Sequence, residues 1–136
     1  MQCKGTGGEP MFTKWVPILA GYVLWPVIAL VAWGELKPSG GWIESLVWDK
    51  ALHFIAYFGL AAISCVALKG DRRVPAAVLG LALLGGVLEV VQGFTGRDPS
   101  VFDEMANILG AMSGAGTGWL LIRALQPKIL AFEGRD

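Results

Sequence analysis

Four apolar runs, each about as long as a membrane is thick, constrain this chain more than any other feature. They extend from Trp15 to Trp33, from Ala51 to Leu68, from Val74 to about Phe94 and from Met105 to Ile122. A helix needs roughly 20 apolar residues, at about 1.5 Å each, to cross the hydrocarbon core. Glu89 is the one formal charge inside the four runs. Only 16% of the 136 residues are charged, against about 25% in soluble domains, and a small domain with much surface should carry more. The missing charge is expected to be missing from a surface that faces lipid. A secretory signal is the rival reading of the first run, but the run exceeds the usual 7 to 15 residues and no small-x-small cleavage site follows.

Charge and cysteine usage exclude other classes. Eleven basic residues balance eleven acidic ones, and the sequence pI is about 6.6, so the basic stripe of a nucleic-acid-binding protein is absent. Cys3 sits in a polar tail and Cys65 inside an apolar run. The pair reads as unbridged, with Cys65 a small buried hydrophobe.

The cations fix an expected orientation, because Lys and Arg in short loops stay in the cytoplasm. With four spans both termini share a side. That side carries Lys4, Lys14, Lys69, Arg72, Arg73, Arg123, Lys128 and Arg135, against Lys37, Lys50 and Arg97 on the other. The expected fold is an all-α integral membrane bundle of four transmembrane helices with both termini cytoplasmic. Residues 1–14 form an N-terminal tail, 15–122 the membrane domain and 123–136 a C-terminal tail. The tail's Leu125, Ile129 and Phe132 share a face, which suits the inner membrane surface. Trp33, Trp42 and Trp48 gather around the first outer connection as an interfacial belt. Trp42, Ile43, Leu46 and Val47 have the spacing of a short interfacial helix between the first two spans. Pro17 and Pro26 lie within the first span, where Pro26 is expected to kink it or to leave a carbonyl for a neighbour.

Helices in lipid associate through close packing of small residues and through polar contacts. Gly110, Gly114 and Gly118 repeat every four residues, and Ala82 with Gly86 makes a shorter pair in the third span. These rows are expected to bring the third and fourth spans together.

Placed by depth on this topology, the polar residues gather at the outer face. Asp49, His53 and Tyr57 are four apart and line one stripe beside Lys50. Glu89 and Gln92 share a face at the end of the third span, Arg97 follows, and Asp103 and Asn107 share a face at the start of the fourth. Glu89 comes 16 residues after Arg73, about 24 Å along a helix, which leaves it inside the outer hydrocarbon. An ionised side chain at mid-membrane costs about 2.5–3.5 kcal/mol on insertion scales, so Glu89 needs a donor, a cation or a proton nearby. Singly, these residues have plainer readings. Asp49 can cap a helix and Lys50 can snorkel. Ser100 and Asp103 fit a capping box, Gln92 and Asn107 can join helices, and a lone histidine can satisfy a local hydrogen bond. Capping explains neither Glu89 nor the shared depth of His53 and Arg97.

The run Asp49-Lys50-x-x-His53-x-x-x-Tyr57, followed by Glu89-x-x-Gln92-x-x-x-x-Arg97-x-x-x-x-x-Asp103-x-x-x-Asn107-x-x-Gly110, resembles the VanZ-like family of small polytopic bacterial membrane proteins. The match covers residues 49 to 110, about half the chain. The family takes its name from an accessory protein of glycopeptide resistance that lowers susceptibility to teicoplanin. The resemblance implies residence in the bacterial cytoplasmic membrane and a link to the cell envelope.

The residues themselves suggest a headgroup site. Arg97 can clamp an anion bidentately and Lys50 can add a point charge, with Asp49, Tyr57, Gln92 and Asn107 around them. This points to binding of a phosphate-bearing envelope lipid or cell-wall precursor. If there is turnover, His53, Glu89 and Asp103 are the candidate acid–base groups. A second class is a non-enzymatic interaction protein whose outer cluster is an ion-pair lock that docks an envelope enzyme. A third, a proton-coupled transporter through Glu89, lacks an internal repeat and any acid in the inner half of a span. No cofactor is expected. One histidine without a neighbouring cysteine does not make a structural zinc site, while a carboxylate-rich divalent site bridging a lipid phosphate stays open. No phosphate-cradling loop, nucleophile elbow or zinc-protease motif is present.

Overall fold

The computed structural model describes residues 11–37 and 46–133, with side chains over 14–37 and 49–125. Four helices account for nearly all of this: α1 (Met11–Leu36), α2 (Leu46–Ala67), α3 (Val74–Gln92) and α4 (Val101–Glu133). The described residues contain no strand. Each helix has a stretch long and apolar enough to cross a membrane. The apolar runs are therefore helical over nearly all their length; α1, α2 and α4 begin before the runs they contain, and α3 begins with its run at Val74. Residues 42–45 of the expected interfacial helix lie outside the described residues, while Leu46 and Val47 belong to the first turn of α2. The side chains of Trp42, Trp48, Ile129 and Phe132, and Cys3 with most of the N-terminal tail, also lie outside. The backbone of α4 continues as one helix through Pro127 to Glu133, and α1 likewise runs through Pro17 and Pro26.

Helix α2 touches all three other helices, and its contact with α4 is the most extensive. Its buried positions are His53, Tyr57, Leu60, Ala61, Ser64 and Cys65, a stripe at helical spacing. Ser64 enters this stripe without an unmet donor because its hydroxyl donates to the Leu60 carbonyl at 2.8 Å. Free Cys65 is buried in it. Leu24, Val27, Ile28 and Val31 of α1 pack against the same core, and Tyr22, Trp25 and Trp33 point away from it.

The glycine row of α4 faces α2, not α3 as its composition suggested. A Cβ on Gly110 would fall on the Phe54 carbonyl oxygen, and one on Gly114 on the Phe58 carbonyl oxygen. At Gly118 it would come within 3.0 Å of the Cys65 Cβ and 3.2 Å of the Ala62 carbonyl. Backbones this close exclude any side chain between them, which is how small residues hold helices together in lipid. On α3 the tight position is Gly85. Its neighbour Gly86 has only Glu104 at 3.9 Å.

Two turns set the helix ends. Lys69, at φ 55°, follows α2 in the left-handed region, and Gly70 N–H donates to Cys65 O at 2.9 Å while Lys69 N–H donates to Val66 O at 3.0 Å. This pair of bonds is a Schellman motif. At the other end of α3, Gly96 has φ 85° and Arg97 N–H donates back to Gln92 O at 3.3 Å. Gly96 thus lets the chain double back and sets Arg97 over the end of the bundle.

Candidate functional site

The end of the bundle where α1 and α3 finish and α2 and α4 begin holds a joined polar cluster. His53 is at its centre and 4% exposed. Its Nδ1 lies 3.1 Å from Asn107 Oδ1, 3.5 Å from Glu35 Oε1 and 4.0 Å from Glu89 Oε1. All three neighbours are acceptors, so Nδ1 carries the hydrogen and donates to Asn107. The Asn107 amide then donates through Nδ2 to Glu104 Oε2 at 3.2 Å. A line of contacts from Glu104 through Asn107 to His53 crosses from α4 to α2 and fixes the imidazole. With Nδ1–H engaged, Nε2 is the ring nitrogen left to act as base or ligand.

Around this line the other predicted residues take definite partners. Arg97 Nη2 pairs with Asp49 Oδ1 at 3.0 Å, and its Nη1 donates to the Glu35 carbonyl at 3.4 Å. The same carbonyl accepts from Gln92 Nε2 at 3.1 Å, so two side chains hold the final turn of α1. Lys50 Nζ pairs with Asp103 Oδ1 at 3.0 Å. The Tyr57 hydroxyl, fully buried, points at Glu35 Oε2 at 3.5 Å.

Glu89 Oε2 accepts the Ser100 N–H at 3.0 Å. That contact corrects the capping-box reading of Ser100 and Asp103. In a capping box the acid three residues into the helix takes the N-cap N–H; here Glu89, from the preceding helix, takes it. Asp103 is released to pair with Lys50. Lys50 and Arg97 are correspondingly not open cations, since each already holds a carboxylate.

All nine candidate polar residues named from the sequence, from Asp49 to Asn107, fall in this one cluster. Two further members, Glu35 and Glu104, lie just outside the first and fourth apolar runs and are not among these nine. Glu35 is 8% exposed and α1 carries it one turn beyond Val31. The signal was present, because Glu35 continues the row Leu24, Val27, Ile28 and Val31 at helical spacing. Glu104 stands three residues before Asn107, on the same side of α4.

Gly85 makes room for the cluster. A Cβ there would stand 2.7 Å from Glu104 Oε2, 2.8 Å from Asn107 Nδ2 and 3.2 Å from the Tyr57 hydroxyl. Beside it, Ala82, Gly86 and Val90 of α3 and Glu104 of α4 line an open groove of about 410 Å³ on the outside of the bundle. Glu104 therefore belongs both to this apolar groove and to the line that ends on His53.

The charges do not balance. Glu35, Asp49, Glu89, Asp103 and Glu104 face two permanent cations, Lys50 and Arg97, and one imidazole. Glu35 Oε1 and Glu89 Oε1 are buried and have no hydrogen-bond partner. A buried, unmatched carboxylate oxygen is costly, and native structures keep few of them. One nitrogen of His53 and one carboxylate oxygen each of Asp49 and Asp103 lie within 4.8 Å of one another, a separation at which they could share an ion. Comparison of the chain with family models, with curated proteins and with solved structures gives no match.

Proposed function

We propose that the cluster is a headgroup site for a phosphate-bearing envelope lipid or cell-wall precursor, at the extracytoplasmic edge of a bacterial cytoplasmic membrane. The reading takes both termini as cytoplasmic, following the excess of cations at the opposite end. It also draws on the pattern from Asp49 to Gly110, which resembles the VanZ-like family and with it glycopeptide resistance. The observation that carries it is the position of Glu104, which lines an apolar groove and is bonded through Asn107 to His53. An acyl chain in that groove brings its headgroup to the polar end of the bundle. Arg97 and Lys50 stand at the rim with 13% and 34% of their side chains exposed, and either can exchange an aspartate for a phosphate oxygen. In a version with turnover, His53 Nε2 is the acid–base group and Asn107 orients it.

A second reading is an ion-pair lock that orders the helices and docks a partner, and the Lys50–Asp103 and Arg97–Asp49 pairs favour it. Buried, unpartnered oxygens on Glu35 and Glu89 weigh against a lock, since a purely structural cluster has no use for them. Lipids retained by the purified protein separate the two. With a headgroup site, His53→Gln, Glu89→Gln and Arg97→Ala keep normal membrane abundance and lose a phosphate-bearing lipid that the parent retains. With a lock, the same variants lose abundance first and the lipid profile of what remains is unchanged.

A further inference from the structure

We propose that Asp49, His53 and Asp103 bind one divalent metal ion. Their ligand atoms lie within 4.8 Å of one another, and ligands of one ion at about 2.0–2.4 Å each are separated by no more than this. The three come from two helices whose backbones meet at Gly110, where the Phe54 carbonyl occupies the place of a side chain. The spacing of the ligands is therefore built into the packing.

The hydrogen bonds divide the imidazole as metal sites do. A metal-bound histidine almost always donates its other ring N–H to a carboxylate or carbonyl oxygen. Here Nδ1 donates to the Asn107 amide oxygen, with two carboxylates beside it, and Nε2 is assigned to the metal. Each aspartate spends Oδ1 on a cation, Asp49 on Arg97 and Asp103 on Lys50. Each keeps a second oxygen for an ion, and the cations hold the carboxylates in place.

An independent observation points to positive charge at this spot. Glu35 Oε1 and Glu89 Oε1 are buried without hydrogen-bond partners and lie 3.5 and 4.0 Å from His53 Nδ1, on the side of the ring away from Nε2. A cation on Nε2 makes the imidazole they face more positive, which offsets part of their negative charge while Nδ1–H stays on Asn107. One nitrogen and two carboxylate oxygens suit Mn²⁺ or Zn²⁺ better than a soft ion. Three protein ligands leave positions for water or for an oxygen of a bound phosphate. That last step rests on the headgroup reading above, and the ion lessens the repulsion a phosphate would meet from carboxylates that Lys50 and Arg97 do not balance.

The test is Mn²⁺ binding to the purified full-length chain in phosphatidylcholine nanodiscs, followed by electron paramagnetic resonance. One Mn²⁺ per chain is expected, with nitrogen modulation from a single imidazole in the spin-echo envelope. His53→Gln should lose that modulation, and Asp49→Asn and Asp103→Asn should each weaken binding by at least about tenfold; Asp71→Asn, at the opposite end, should leave it unchanged. The wild-type echo decides the matter even if a variant fails to fold. No stoichiometric ion, or a bound ion without nitrogen modulation, overturns the proposal. Adding phosphatidic acid to the discs tests the headgroup reading separately. Retention of phosphatidic acid without Mn²⁺ keeps that reading and rejects the bridge, whereas Mn²⁺ bound with no preference for phosphatidic acid keeps the metal site and rejects the headgroup.

Discussion

Asn107 Oδ1 accepts from His53 Nδ1 at 3.1 Å while Asn107 Nδ2 donates to Glu104 at 3.2 Å, so one amide fixes the proton position of the imidazole and ties it to a carboxylate that lines the groove beside α3. Replacing Asn107 by Leu removes both contacts and leaves the buried His53 Nδ1 without its closest acceptor, while the half-buried Glu104 loses a donor. Interhelical hydrogen bonds in membranes average about 0.6 kcal/mol, but an abandoned buried partner costs about 1–3 kcal/mol. The second term dominates. Asn107→Leu should lower thermal stability in detergent by more than Asn107→Asp, which keeps the acceptor for His53, and paired melting curves decide the order.

The two ion pairs should differ in strength. Arg97 is the more buried cation and also donates to the Glu35 carbonyl, whereas Lys50 is 34% exposed and makes one contact. Surface pairs are worth about 0–1 kcal/mol, and burial of one partner raises the cost of removing the other. A double-mutant cycle on Arg97 and Asp49 should return a larger coupling than one on Lys50 and Asp103. Equal couplings would contradict the view that the lower exposure of Arg97 strengthens its pair.

Helix α4 should tolerate methyl groups on one face only. Gly114→Ala puts a carbon onto the Phe58 carbonyl oxygen, a backbone atom that cannot step aside, whereas Gly116 has nothing within 4 Å of an added Cβ. Overpacking costs about 1–3 kcal/mol. Gly114→Ala should therefore reduce the amount of folded protein in the membrane several-fold, and Gly116→Ala should leave it unchanged, as read by fluorescence-detected gel filtration.

Gly85→Ala should separate site from fold. Its added methyl meets the side chains of Glu104, Asn107 and Tyr57, not backbone, so the helices can stay together while the polar line shifts. Lipid retention and Mn²⁺ binding should fall in this variant with little loss of membrane abundance. Gly80→Ala, with open space around it, is the matched control.

Much of this was legible in the residues because hydropathy and helical spacing are local properties. Four helices long and apolar enough to cross a membrane followed from run length, and the polar stripe Asp49, His53, Tyr57 from a period of 3.6. The gathering of Glu89, Arg97 and Asp103 followed from depth along antiparallel helices. Pairing was not legible. Glycines at every fourth position announce a close contact but not its partner, and the row of Gly110, Gly114 and Gly118 proved to face α2. Glu35 lies beyond the first apolar run, where a charge looks like a boundary, yet α1 continues far enough to bury it. Asp103 looked like a cap for Ser100, and only the fold shows that Glu89 takes that N–H.

The most direct test of the headgroup site is the distance from a lipid phosphorus to the Arg97 guanidinium, measured by ³¹P–¹⁵N solid-state nuclear magnetic resonance on labelled protein in bilayers containing phosphatidic acid. The account predicts strong dephasing from a phosphate in direct contact with Arg97, and its loss in His53→Gln bilayers prepared identically. Arg97 that shows no phosphorus neighbour while remaining paired with Asp49 would contradict it, and would leave the cluster as a lock between helices.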